Sequence, residues 1–194
     1  YLRRMKFGQS IREEGPESHQ KKAGTPTMGG LIFLTSIIVT TLAISFIFDK
    51  LTTQSIVLLL VLVGFGLIGF LDDFIKVVLK RNLGLTSLQK LIGQIIIAII
   101  AFFLLKLGPF DTSISIPWTD ITLSLGQFYV AFLVFWLVGF SNAVNLSDGL
   151  DGLAASLSLI AFLTLGIISY NTGWLEGYEE TSLFCFAISG SLIG

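Results

Sequence analysis

An all-α polytopic membrane fold is what this sequence predicts, and three observations lead there. Hydrophobic residues make up 53% of the chain and charged residues only 13%, mean hydropathy is +0.85, and a water-soluble domain normally carries about 25% charge. The apolar residues fall in continuous runs without the two-residue alternation of a barrel strand. A hydrocarbon layer about 30 Å thick is crossed by about 20 helical residues, and the runs are of that order. They are 29–48, 55–71, 91–107, 128–144 and 153–170, with a shorter sixth at 181–194, so about six membrane helices are expected.

Crossing direction alternates, which sorts the loops into two sets. Arg3, Arg4, Lys6, Arg12, Lys21, Lys22, Lys76, Lys80, Arg81 and Lys90 fall on one side, and only Lys50 and Lys106 on the other. The positive-inside rule makes the first side cytoplasmic. The outer linker at 108–127 alternates β-formers (Ser113 to Ile116, then Ile121 to Leu125) around Pro117-Trp118-Thr119-Asp120, which reads as a small extracytoplasmic β-hairpin acting as a cap. The outer loop at 171–180, with Glu176, Glu179 and Glu180, reads as a solvated turn. The single cysteine, Cys185, lies in an apolar stretch and has no disulfide partner within the chain. The chain starts at Tyr1 without a signal-peptide pattern and stops at Gly194 inside an apolar run. An internal piece of a longer protein is therefore expected, 1–194 forming part of one transmembrane catalytic domain.

Three polar clusters remain, all on the cytoplasmic side. The first, Ser18 to Gly30, carries Lys22, Thr27 and glycines just ahead of the first span. A helix starting near Thr27 would turn its positive end and free N–H groups toward an anion. A basic topogenic segment would account for the same residues, and His19, the only histidine, reads equally well as a solvated loop residue or a phosphate contact. The second is Asp72-Asp73-Phe74-Ile75-Lys76, at the end of the second span. A charge at the bilayer centre costs about 2.5–3.5 kcal/mol, so acids here belong at the mouth of the span. On a continuing helix Lys76 neighbours both acids, an arrangement suited to Mg²⁺ shared with substrate phosphates or to a plain interfacial ion pair. The third runs from Asn142 to Gly152, where Asn145, Asp148 and Asp151 recur every three residues and would share a helical face. Its acids lack basic neighbours and suit a cation or a polar ligand such as a base or sugar, although an Asn/Asp/Gly capping turn has the same composition.

The strings Gly8 to Pro16, His19 to Gly30, Gly69-Phe70-Leu71-Asp72-Asp73, Lys80-Arg81-Asn82-Leu83-Gly84-Leu85 and Asn142 to Gly152 together resemble the bacterial phospho-N-acetylmuramoyl-pentapeptide transferases, over essentially the whole chain. The resemblance implies about ten helices in the bacterial plasma membrane and an active site facing the cytoplasm. The implied reaction moves phospho-MurNAc-pentapeptide from its UDP carrier to undecaprenyl phosphate, giving lipid I and UMP with Mg²⁺ as cofactor. It casts Asp72 and Asp73 as the catalytic and metal-binding pair, Lys22 as a catalytic residue that contacts substrate phosphate and Thr27 as a further contact to that phosphate. Asn145, Asp148, Gly149, Leu150 and Asp151 become the nucleotide-recognition loop. The family's further acid, in a Gly-Asp-Thr-Gly motif, and its histidine-rich loop do not occur in this chain, so these 194 residues alone are expected to be inactive.

A sister enzyme using UDP-N-acetylglucosamine is the nearest rival, disfavoured by Gly24-Thr25-Pro26-Thr27-Met28-Gly29-Gly30. A cation-coupled transporter would place acids at mid-span and on both faces, and here the spans are nearly free of them. A structural scaffold would leave the three clusters without a role. Nucleic acid is not expected as a partner, and a homodimer is left open.

Overall fold

In the computed structural model, residues 29–49, 51–79, 83–116, 118–148, 150, 152–172 and 178–194 are described. They form helices α1 (Gly30–Ile47), α2 (Thr53–Val78), α3 (Ser87–Leu105), α4 (Tyr129–Ser147), α5 (Leu153–Thr172) and α6 (Tyr178–Ile193), with strands β1 (Ser113–Ser115) and β2 (Thr122–Ser124) between α3 and α4. Among the described residues, five helical segments, ending with α5, are long and apolar enough to cross a membrane, and α6, at 16 residues, is shorter. This is a multi-pass membrane architecture.

The helices follow from hydropathy, but their ends follow from capping. Thr52 starts α2 by accepting from the Ser55 N–H at 3.3 Å. At α3, Thr86 Oγ1 accepts from the Gln89 N–H at 3.2 Å while Gln89 Oε1 accepts from the Thr86 N–H at 2.9 Å, a reciprocal capping box. Thr86→Ala is expected to destabilise the folded protein by about 1 kcal/mol, read as a lower unfolding midpoint in detergent.

The expected spans recur with one consequential difference. Helix α2 continues seven residues past Leu71, so Asp72 and Asp73 lie within the helix rather than at its end. Hydropathy reports where the bilayer stops, not where backbone hydrogen bonding does. Gly152 turns the chain into α5 with φ +80, a conformation open to glycine.

Successive helices pack side by side, and α6 returns against α1 and α2. Ile37 of α1 meets Phe184 and Ile188 of α6, with Phe33, Leu58, Leu62 and Phe162 around them. The Ser191 hydroxyl of α6 donates to the Phe33 carbonyl at 3.1 Å, and Thr41 and Ser45 are fully buried. Small and polar side chains at helix contacts with large apolar ones outside, such as Phe46, Phe103 and Phe135, is the arrangement a lipid solvent favours. The hairpin pairs antiparallel, Ser113 with Ser124, Ile114 with Leu123 and Ser115 with Thr122, and Phe110 packs edge-on against Tyr129 at 5.1 Å where the linker meets α4.

Candidate functional site

The N-terminal ends of α1 and α3 and the C-terminal ends of α2 and α4 surround a cavity of about 780 Å³. Gly29 and Gly30 line it from α1, Asp72, Asp73 and Lys76 from α2, Lys90 and Gln94 from α3, and Ser141, Asn142 and Asn145 from α4. All three polar clusters, far apart in the chain, therefore contribute to one space. Its remaining wall is apolar, including Phe33, Leu34, Val61, Leu62 and Phe65, so a polar end passes into a hydrocarbon-lined one.

Asp72 and Asp73 are adjacent in sequence but occupy different environments, because neighbouring helix positions project about 100° apart. The Asp72 side chain is only 9% exposed. Its Oδ2 receives Lys76 Nζ at 2.6 Å and Lys90 Nζ at 3.0 Å, and its Oδ1 accepts the Leu85 N–H at 2.8 Å. The Asp73 side chain is 42% exposed and meets Lys76 Nζ through Oδ1 at 3.1 Å. A buried carboxylate surrounded by donors organises its neighbours, whereas a half-exposed one with an oxygen to spare among the described residues can reach a ligand.

The loop from Leu83 to Thr86 lies directly on Asp72. A Cβ on Gly84 would collide with the Asp72 carboxylate and stand 2.6 Å from its backbone oxygen, so the close approach requires glycine. One turn deeper, Gln94 is buried at 6% exposure. Its Oε1 accepts from Asn142 Nδ2 at 2.8 Å and its Nε2 donates to Ser141 Oγ at 3.3 Å.

Among the described residues no three His, Cys, Asp or Glu side chains cluster as a metal cage. Mg²⁺ needs only one or two protein carboxylates when waters and phosphates complete its shell, and Asp73 with the Asn145 amide oxygen on the same cavity fits that minimal set. Asp72 fits it less well, since nitrogen donors engage both of its oxygens.

Several expected site residues fall elsewhere. Helix α4 ends at Ser147 and Asp148 leaves helical geometry with ψ 58, so Asn145 and Asp148 do not share a continued helical face. Asp148 and Leu150 are exposed and do not line the cavity. Lys22, Thr27, Gly149 and Asp151, and His19 with them, lie outside the described residues. Conversely, Lys90 reads in the sequence only as a topogenic charge and Gln94 as part of an apolar run. The one available signal is the spacing of four that places both on one face of α3.

The model for glycosyl transferase family 4 matches residues 55–194, and a signature of phospho-N-acetylmuramoyl-pentapeptide-transferase matches residues 22–34. Over all 194 residues the chain is 55% identical to a phospho-N-acetylmuramoyl-pentapeptide-transferase of a Geobacillus species, 54% to that of Anoxybacillus flavithermus and 49% to that of Listeria monocytogenes, in each case covering 59% of the relative's length. With the family match running through the helices that carry the acid pair, Lys90 and Asn145, the chain belongs to glycosyl transferase family 4.

Proposed function

We propose that this chain forms the substrate-facing part of an enzyme that transfers phospho-MurNAc-pentapeptide from UDP-MurNAc-pentapeptide to undecaprenyl phosphate, producing lipid I and UMP for peptidoglycan synthesis at the cytoplasmic face of a bacterial plasma membrane. The observation carrying this reading is the cavity itself. Its charged end, with Lys76 and Lys90 beside Asp72 and Asp73, suits phosphates, and its apolar wall suits a lipid tail. Similarity to the pentapeptide transferases selects the sugar.

Two anions must meet for this reaction, so positive charge has to be in place before they approach. Asp72 holds the ammonium groups of Lys76 and Lys90 at one carboxylate oxygen, and there they can attract the diphosphate and the lipid phosphate together. A lipid phosphate oxygen then attacks the β-phosphorus, the bond from that phosphorus to the bridging oxygen breaks, and UMP departs with the electron pair. Mg²⁺, held by Asp73 and Asn145, would neutralise charge on the diphosphate. The attacking phosphate is already ionised, so it needs no preliminary activation, and the engagement of both Asp72 oxygens by nitrogen donors favours direct attack over a covalent intermediate on that residue. Lys22, Thr27 and the segment from Asp148 to Asp151 are assigned to the phosphates and nucleotide by resemblance alone.

Purified full-length protein, given undecaprenyl phosphate and UDP-MurNAc-pentapeptide, is expected to release UMP and form lipid I. Chelating divalent cations should stop the reaction and added Mg²⁺ should restore it. Transfer from UDP-N-acetylglucosamine alone would overturn the assignment in favour of the sister enzyme, and retention of full activity after chelation would remove the metal.

A further inference from the structure

A buried amide inside an otherwise apolar membrane helix calls for a reason, because hydrocarbon offers it no water. Gln94 has such a position. It sits one turn beyond Lys90 on the same face of α3, and its partners Ser141 and Asn142 sit one turn before Asn145 on α4. Asn142 Nδ2 also donates to the Val138 carbonyl at 2.8 Å, which fixes its side chain against its own helix. The two helices are thus joined by directional bonds at the level just behind the charged end of the cavity. Apolar contacts would hold them together without choosing a register, since a sliding helix exchanges one Leu or Ile contact for another.

We propose that Gln94 is a positioning residue: its bridge to Ser141 and Asn142 sets the register of α3 against α4 and so holds Lys90 and Asn145 in place relative to each other at the cavity. This goes beyond the general transferase reading and rests on it only for the catalytic consequence. Lys90 reaches Asp72 at 3.0 Å and Asn145 lines the same wall. A small slide of α3 against α4 therefore moves the Lys90 ammonium relative both to Asp72 on α2 and to the Asn145 amide on α4.

The test uses full-length protein without other cysteines, spin-labelled at Leu88 and Leu146, which lie on the exposed cytoplasmic ends of α3 and α4. Gln94→Met keeps the side-chain volume and removes the bridge. It is expected to broaden or shift the label-to-label distance distribution and to lower kcat about 10- to 100-fold per folded molecule, the range that misplacement by about 1 Å produces. Combined with Lys90→Gln, its loss should be less than multiplicative, because part of its effect acts through the same ammonium group. An unchanged distance distribution overturns the proposal whether or not the protein is active. So does unchanged kcat in an active parent protein, or fully multiplicative losses in the double variant. If Gln94→Met fails to fold, Ser141→Ala, which removes one partner, must still broaden the distribution, and an unaltered one overturns the proposal. A shifted distribution in a parent protein inactive with UDP-MurNAc-pentapeptide would instead overturn the substrate assignment and leave the register role standing.

Discussion

Asp72→Asn in the full-length protein is expected to reduce turnover by at least about 100-fold, the scale on which removal of a preorganised charge from an active site is felt, while the protein still folds. The asparagine amide can keep its oxygen on the Leu85 N–H, now at 2.8 Å from the carboxylate, so the loop above it stays. What disappears is the negative charge that brings Lys76 and Lys90 to one oxygen at 2.6 and 3.0 Å. With that shared anion gone the two ammonium groups repel, Lys90 swings toward water and Lys76 is left to Asp73, so the diphosphate loses its prepared electropositive seat. Asp73→Asn is expected to fail differently. Its carboxylate is half-exposed, and its loss should raise the Mg²⁺ concentration needed for half-maximal rate, whereas Asp72→Asn should leave that concentration nearly unchanged. Metal titrations of the two variants separate the roles. Equal shifts in both would show that the acids act as a common ligand pair.

Gly84→Ala should cost at least about tenfold in turnover and about 1–3 kcal/mol in stability, as expected when an atom is forced into filled space. The added methyl would press on the Asp72 carboxylate and lie 2.6 Å from that residue's backbone oxygen. Helix α2 cannot move its backbone there without breaking its own hydrogen bonds, so the loop must lift and release the Leu85 N–H. Gly139→Ala is the control, because a Cβ on that helical glycine meets nothing within 4 Å. Turnover and unfolding midpoints for both variants make the comparison, and equal behaviour would mean that the Leu83 to Thr86 loop does not bear on the acid pair.

Much of this was legible from residue order. Hydropathy located the spans to within a few residues, and turn chemistry found the hairpin, because both depend on local solvent preference and backbone conformation. The acid pair stood out because ionised groups beside a lipid-crossing run are costly. Lys90 and Gln94 did not stand out. A lysine near a cytoplasmic helix end has an ordinary topological explanation, and one amide in an apolar run changes its mean hydropathy little. Their importance comes from what lies opposite, on α2 and α4, which only the packing of helices reveals. The seven-residue extension of α2 stayed open for a related reason, since charged residues end an apolar run without ending a helix. The proposed helical face through Asn145, Asp148 and Asp151 shows the converse, a regular spacing whose backbone departs from helix at Asp148.

The bond from Ser191 to the Phe33 carbonyl joins residues 158 positions apart, and it bears on how the molecule is assembled. During synthesis, α1 enters the bilayer first among these helices, yet its Phe33 and Ile37 pack against α6, made later. The start of α1, with its glycine wall, therefore gains this bond only once translation has passed α6. A ribosome-stalled intermediate ending before Tyr178 would hold the acid pair and Lys90 with that wall still unanchored.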